Sequence, residues 1–268
     1  MTHTVELVRR FARHHIVHHW IMLVCFAGLV LTGFPQKYSE QAWAKGIILI
    51  FGGVGRTRFL HHLLGTVMAL QLVWHVLEVV WHAVVRRLPL TMVPGPDDVR
   101  HFWQQVMFNL GRAEGQPRMG RYTFAEKLEY LALVWGTALM VLTGVVLLYP
   151  TRWAAVAGEF VLASKAAHSG EALLAFLAIL TWHAYFVHMR HSNKSIFNGM
   201  LDAETYAEEH ALELERMWRD DAPRPARATA GRVAIFTLLA VIAVVGVAAL
   251  WLWLRASAIP IITVDIGP

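Results

Sequence analysis

The chain has 268 residues, of which 56% are hydrophobic and 16% are charged, and its formal net charge is +5. This composition is too apolar for an ordinary soluble domain of the same length. The basic residues are spread over separate segments, which argues against a nucleic-acid interface and favours attraction to the anionic headgroups of membrane lipid. The single cysteine, Cys25, excludes an intrachain disulfide, a cysteine-rich iron–sulfur site and the attachment motif of c-type haem.

Five apolar runs are long enough to cross a bilayer as helices, which takes about 20 residues each. In chain order they cover residues 19–34, 62–85, 128–149, 167–189 and 233–254. The first run is followed by Lys37, Tyr38 and Trp43 without a small-residue cleavage site, so we expect it to be retained and not removed as a signal peptide. The sequence predicts an all-α integral membrane protein.

Lysine and arginine residues are divided unevenly between the two ends of these helices. The segments before the first, between the second and third, and between the fourth and fifth helices contain three, seven and seven of them, so seventeen of the 24 lie on one side. Cytoplasmic segments carry such an excess. We therefore expect a multi-pass protein of a bacterial-type inner (cytoplasmic) membrane, with its N-terminus in the cytoplasm and its C-terminus outside.

Four histidines lie within the predicted bundle at paired depths. His61 and His75 are 14 residues apart, and His168 and His183 are 15 apart, which gives a rise of about 21 and 22 Å and a rotation of about 40° and 60°. Ionisable groups at this depth usually mark a cofactor or a transport path, and imidazole is the commonest protein ligand of metals. The spacing predicts two b-type haems, each held by two imidazoles; ordinary hydrogen-bonded packing is the alternative. The histidines at the cytoplasmic boundary are assigned to the interface: His14, His15, His18, His188 and His191.

Two predicted helices end alike, because residues 27–33 and 138–144 both finish in Val-Leu-Thr-Gly. This indicates a two-by-two repeat, although chance or a shared packing requirement would produce the same short piece. We divide the chain into a four-helix di-haem domain (1–200), an acidic cytoplasmic segment and linker (201–230), and a fifth transmembrane helix with a short extracytoplasmic tail (231–268). The acidic segment is expected to form an exposed helix, and residues 99–110 an amphipathic stretch at the membrane surface.

Several short motifs occur in order: HHW at 18–20, LTGFP at 31–35, LHHLLG at 60–65, GRYTFAEK at 120–127, HS at 168–169 and HAY at 183–185. In this combination, over roughly residues 9–199, the chain resembles the cytochrome b (gamma) subunits of respiratory formate dehydrogenases and membrane-bound nickel hydrogenases. The resemblance implies one haem near the outer face and one near the cytoplasm, beside a quinone site. Carried over, the axial ligands are His61 with His168, and His19 with His183.

The spacing and the resemblance disagree about one ligand. The spacing selects His75 and the resemblance selects His19, and only one of them can complete an iron already bound by His183. We take His19 as the ligand. His75 is then a quinone-site or haem-propionate partner, the ligand of an additional third haem, or a buried polar residue.

Quinone contacts are expected in the segment before the third helix, at Thr123, Ala125, Glu126 and Lys127. Thr123 and Ala125 stand where the family has an amide or a glycine. Glu126, Lys127 and Glu78 are candidates for the proton that accompanies quinone reduction, and an interfacial charge or a salt bridge is an equally good interpretation of each.

These features predict the membrane subunit of a respiratory oxidoreductase, which passes electrons through two haem b groups between an extracytoplasmic redox subunit and the quinone/quinol pool. The chain has no soluble catalytic domain and no nucleotide or metal-cluster motif, so substrate chemistry is expected in a partner. That partner is an iron–sulfur subunit or a multihaem cytochrome c. Two rival interpretations are a histidine-lined transporter and a non-redox membrane anchor, both of which predict no visible chromophore.

Overall fold

The computed structural model describes residues 6–190, 193–221 and 223–256. Within them the regular secondary structure is helical apart from two strands of three residues each. Five helices are long and apolar enough to cross a membrane, which confirms the prediction of an all-α, multi-pass membrane protein. These helices are α1 (Arg13–Lys37), α3 (Val54–Val80), α5 (Phe124–Leu148), α7 (Gly158–Ala178) and α11 (Ala230–Ala256). The ends of α3 and α7 continue as π-helix, over Trp81–Val85, Ile179–His183 and Tyr185–Arg190.

All five spanning helices begin before the apolar run that predicted them. Four begin at least four residues earlier, and α11 begins three residues earlier. For example, α1 starts at Arg13 and not at residue 19, because polar residues extend the helix into the water interface. The first apolar run was predicted to end at residue 34, directly before Pro35, but the helix continues to Lys37. A proline in the last turn removes only one backbone hydrogen bond, and the Tyr38 N–H bonds the Phe34 carbonyl beyond it.

Short helices connect the long ones. They are α2 (Ala42–Ile50), α4 (Pro96–Asn109), α6 (Pro150–Val156), α8 (Ser195–Asn198), α9 (Ala203–Glu209) and α10 (Ala211–Trp218). The predicted amphipathic stretch forms α4, which begins with Pro96 and is capped by the Asp98 carboxylate, 2.7 Å from the Gly95 N–H. In contrast, α2 and α6 close the opposite end of the bundle.

The long helices pack as two antiparallel pairs. Helix α1 lies against α3, α5 lies against α7, and α3 contacts α5 to join the pairs. Helix α11 contacts the π-helical end of α3, where the Trp81 and Phe236 rings are 5.1 Å apart and the Arg232 guanidinium donates to the Val85 carbonyl at 2.9 Å. The outward faces are covered with exposed apolar side chains, as expected for a surface in contact with lipid.

A small folded unit closes one end of the bundle, and we call it the cap (residues 6–12, 117–123 and 198–218). Strand β1 (Leu7–Arg9) pairs antiparallel with β2 (Met200–Asp202), with Val8 opposite Leu201. Val8 packs against a core of Leu201, Tyr206 and Leu214. The Leu212 N–H bonds the Met119 carbonyl at 3.0 Å, which attaches the loop before α5. We refer to the two ends of the bundle as the cap end and the far end.

The acidic segment differs from the exposed helix that was expected. It forms two short helices, α9 and α10, with a break at His210, and the side chains of Tyr206, His210 and Leu214 are buried. The acidic residues outnumber the basic ones here, so the charge pattern favoured solvent exposure. Apolar residues of the segment nevertheless pack on β1 and the 117–123 loop, a contact that composition does not encode.

Candidate functional site

Two imidazoles face each other across the far half of the bundle. The ring centroids of His61 on α3 and His168 on α7 are 6.4 Å apart, with an interplanar angle of 67°. An imidazole–metal bond is about 2 Å long and the ring centre lies about 1 Å beyond the nitrogen, so two axial imidazoles on one iron have centroids about 6 Å apart. The separation fits a bis-histidine haem.

The neighbouring helix α1 holds the neutral His61 ring in one tautomer. The Thr32 hydroxyl donates to the Gly28 carbonyl at 2.7 Å, in the back-bonding pattern of helical threonines. Its oxygen lies 2.9 Å from Nδ1 of His61. Because the only hydroxyl hydrogen is already used, we assign the proton to Nδ1 and the free lone pair to Nε2. This is the form in which imidazole binds a metal.

The second helix pair repeats this arrangement. The Thr143 hydroxyl of α5 donates to the Leu139 carbonyl at 2.6 Å, and its oxygen lies 2.9 Å from Nδ1 of His168. By the same argument His168 also presents an unprotonated Nε2. Each of the two neighbouring imidazoles is therefore held through Nδ1 by a threonine from the adjacent helix.

The glycine that follows each threonine makes room for the ring. A Cβ at Gly33 would lie 3.0 Å from Cε1 of His61, and a Cβ at Gly144 would lie 3.4 Å from Cε1 of His168. The repeated Leu-Thr-Gly piece thus has a specific role at both positions. Sequence reasoning did not include Thr32 and Thr143 among the site residues, although the repeat itself was the signal that marks them.

A second pair of histidines lies near the cap end. His19 of α1 and His183 of the π-helical segment Ile179–His183 lie on the wall of one cavity of about 140 Å³. Nδ1 of His19 is buried without a hydrogen-bond partner. Nδ1 of His183 lies 3.7 Å from a carboxylate oxygen of Glu129, close enough for one water or a small ring movement to join them. The other residues on the wall are Leu23, Ile179, Ala184, Val187, Ile196 and Phe197.

His75 occupies a different place. Its Nε2 lies 2.7 Å from the Tyr130 hydroxyl, and its ring is 5.9 Å from that of His18. The His18 ring in turn lies 4.0 Å from Trp74. The Nε2 atom of His75 is thus engaged by a tyrosine, whereas His19 shares a cavity with His183.

Two of the histidines assigned to the interface share the carboxylate of Glu78. Nε2 of His14 is 3.1 Å from one of its oxygens, and Nε2 of His18 is 3.3 Å from the other. Only 12% of the His18 side chain is exposed, so this residue lies deeper than expected. His191 and the side chain of His188 lie outside the described part of the structure.

Most of the predicted quinone residues hold the start of α5. The Thr123 hydroxyl accepts the Glu126 N–H at 3.2 Å, and Glu126 accepts the Thr123 N–H at 2.9 Å, which together form a capping box. Glu126 also pairs with the buried Arg10, and Lys127 pairs with Asp98 at 2.9 Å. Ala125 is half-buried and has no polar side-chain atom. These polar side chains are therefore engaged in local contacts.

Arg10 also connects this helix start to the cap. Its guanidinium donates to Nε2 of His210, whose Nδ1–H donates to the Gly120 carbonyl at 2.9 Å. His210 is fully buried, and burial together with the charge of Arg10 lowers the pKa of His210 to about 4. The neutral imidazole thus completes a hydrogen-bond network between β1, the loop before α5 and α10.

No group of three or more His, Cys, Asp or Glu that could hold a metal ion by itself occurs among the residues whose positions are described. A pair of histidines is nevertheless sufficient for haem, because the porphyrin supplies the four equatorial nitrogens. In comparison with known proteins, no family model matches the chain and no similar curated protein is found. Function must therefore be inferred from the geometry of the histidine pairs.

Proposed function

We propose that this chain is a di-haem cytochrome b that carries electrons across the membrane as a subunit of a respiratory oxidoreductase. The observation that carries the proposal is the pair of His61 and His168, 6.4 Å apart between ring centroids, with each Nδ1 bound to a threonine hydroxyl. Two neighbouring imidazoles that both have an unprotonated Nε2 cannot donate a hydrogen bond to each other through these atoms. A haem iron held by both Nε2 atoms would account for the arrangement.

Haem supplies one-electron chemistry when it is bound. His61 and His168 would together hold the iron, so that no coordination position would remain open for substrate or oxygen. Thr32 and Thr143 fix the rings, and the apolar helices exclude water. These features favour electron transfer over catalysis at the metal, and the chemistry on a substrate belongs to a partner subunit.

The second haem is assigned to His19 and His183. The buried Nδ1 of His19 without a partner and the carboxylate of Glu129 beside His183 both favour a polar ligand site and not apolar packing. His19 and Thr32 are 13 residues apart on α1, a rise of about 20 Å. The two haems would thus lie in opposite halves of the membrane and form a path across it.

The orientation follows from the excess of basic residues at the cap end. The cap end would face the cytoplasm of a bacterial-type cell, with the quinone/quinol pool reached beside the His19–His183 haem. The far end would face an extracytoplasmic iron–sulfur or multihaem cytochrome c subunit. Since Thr123, Glu126 and Lys127 are engaged in contacts at the start of α5, we propose that they shape the quinone site and do not deliver protons.

The test is a dithionite-reduced minus oxidised spectrum of the purified complex together with a haem count per chain. We expect b-type bands and two haems. Replacement of His61 or His168 by alanine should reduce the count to one. His62→Ala is the matched control, because this exposed neighbour points about 100° away on the same helix. A colourless, fully assembled protein would refute the proposal and favour a transporter or an anchor.

A further inference from the structure

A cavity of about 560 Å³ lies at the cap end, and the wall residues of the His19–His183 site do not line it. Its walls come from the end of β1, the start of α1 and the segment between them, and from the loop before α5. They are Arg9, Arg10, Phe11, Ala12, Arg13 and Arg121. Four of the six residues are arginines. The size is within the range of cavities that bind small ligands.

The positive charge of this cavity is only partly neutralised by the protein. Arg9 and Arg13 are exposed and form no ion pair within residues 6–190, 193–221 and 223–256. Arg121 lies 3.8 Å from Glu213, and 41% of its side chain is exposed. Arg10 is buried and bound to Glu126 and His210, but its Nε has no hydrogen-bond partner.

The first turn of α1 adds to this charge. Ala12 is the N-cap residue and has no side chain that can accept a hydrogen bond, and the first turn of this 25-residue helix contains no acidic residue. The free N–H groups at the start of a helix and the helix dipole both favour an anion there. The helix start therefore attracts the same kind of ligand as the arginines around it.

The position of the cavity indicates what the anion belongs to. Helix α1 spans the membrane from Arg13 onwards, so the cavity lies at the level of the lipid headgroups. Guanidinium groups bind phosphate through paired N–H donors. We infer that this cavity binds a phosphate group, carried by the headgroup of an anionic phospholipid such as phosphatidylglycerol. Free phosphate shares the chemistry and is tested as the second source.

The experiment uses the full-length protein in neutral detergent, freed of lipid and titrated separately with phosphatidylglycerol, phosphatidylcholine and inorganic phosphate. Bound ligand is measured by native mass spectrometry. In the double variant Arg9→Gln/Arg13→Gln, binding of phosphatidylglycerol should weaken about 30-fold. Each basic residue near an anionic lipid contributes about 1 kcal/mol of attraction, and about 1.4 kcal/mol corresponds to a tenfold change in affinity. The control Arg112→Gln/Arg219→Gln removes two exposed arginines elsewhere, with the same change in net charge, and should stay within about twofold.

The outcomes distinguish a specific anion site from non-specific electrostatic attraction. Equal weakening in both double variants, or equal binding of phosphatidylcholine and phosphatidylglycerol by the wild type, would refute a specific anion site. Binding of inorganic phosphate with the same dependence on Arg9 and Arg13 would support the site and assign it to a soluble anion. The haem count of each variant is measured in parallel and should not change, so this result is independent of the electron-transfer proposal.

Discussion

The hydroxyl oxygen of Thr32 on α1 lies 2.9 Å from Nδ1 of His61 on α3, although the two residues are 29 positions apart in the chain. The Thr143–His168 pair reproduces this distance between α5 and α7. A metal-binding imidazole commonly donates its second N–H to such an acceptor, which orients the ring and raises its basicity. The threonines therefore belong to the proposed far-end haem site as positioning residues.

Loss of either threonine hydroxyl should weaken haem binding at the far end. We expect Thr32→Ala and Thr143→Ala to reduce haem affinity about 10- to 100-fold, the usual effect of removing such a partner. The measurement is the rate of haem transfer to an excess of a soluble acceptor protein. Thr32→Ser and Thr143→Ser retain the hydroxyl and should behave like the wild type. Equal haem loss from the serine and alanine variants would contradict this role.

Replacement by alanine of the glycine after each threonine should disturb the adjacent histidine ring. The disturbance should be larger where the added Cβ lies closer to the ring. A Cβ at Gly33 would be 3.0 Å from His61, and at Gly144 it would be 3.4 Å from His168. We expect Gly33→Ala to shift the electron paramagnetic resonance signal of the far-end haem more than Gly144→Ala does. Gly170→Ala is the control, because a Cβ there meets no atom within 4 Å. A reversed order would show that ring crowding is not the cause.

Replacement of His19 and of His75 should have different effects on haem content. His19→Ala should remove one haem of two, because His19 shares its cavity with His183. His75→Ala should retain both, and Tyr130→Phe should resemble it, since that variant loses the same hydrogen bond. The haem count per chain in each variant distinguishes between His19 and His75 as the ligand. A lost haem in His75→Ala with no change in His19→Ala would reverse the ligand assignment, and a count of three in the wild type would require an additional ligand set.

Arg10 should stabilise the cap more than any exposed ion pair does. Its side chain is 4% exposed and contacts both Glu126 and His210, so Arg10→Gln leaves charged and polar groups poorly paired. We expect the cap to lose about 3 kcal/mol, measured by hydrogen exchange of the Leu212 amide. Arg224→Gln breaks an exposed pair with Asp220 and should cost less than about 1 kcal/mol. Similar losses in the two variants would contradict the proposed role.

The cap should also lose stability as the pH falls. His210 has a pKa of about 4 in the folded cap, below its ordinary value of 6.5. Below pH 6.5 the unfolded cap therefore binds a proton that the folded cap does not, and stability falls by up to about 1.4 kcal/mol per pH unit between 6.5 and 4.

Hydrogen exchange at pH 7.5 and 5.5, corrected for the intrinsic rates, should show faster opening at the Leu212 amide at the lower pH. His210→Gln removes the titrating group and should flatten the dependence. The charged groups that act on or lie beside His210 are Arg10, Glu126, Arg121 and Glu209, and all four are unchanged in this variant. An unaltered slope in His210→Gln would assign the effect to another group.

The sequence by itself determined the features that depend on local composition. Apolar runs of sufficient length became the five spanning helices, because a helix in lipid must satisfy its own backbone hydrogen bonds and present apolar side chains outward. The depths of His61, His168 and His183 follow from the constant rise of a helix. The ends of these helices were less predictable, since a helix continues through polar residues once it leaves the lipid.

Only the tertiary structure decided which side chains meet. The spacing of His61 and His75 made them equally good ligands, but the rotation and offset of α3 against its neighbours turn His61 toward His168 and leave His75 beside Tyr130. Such angles result from the packing of whole helix surfaces, so they cannot be predicted from the hydrophobic periodicity of any single helix. The roles of Thr32 and His210 likewise depend on partners at least 29 residues away in sequence, beyond the reach of any local pattern.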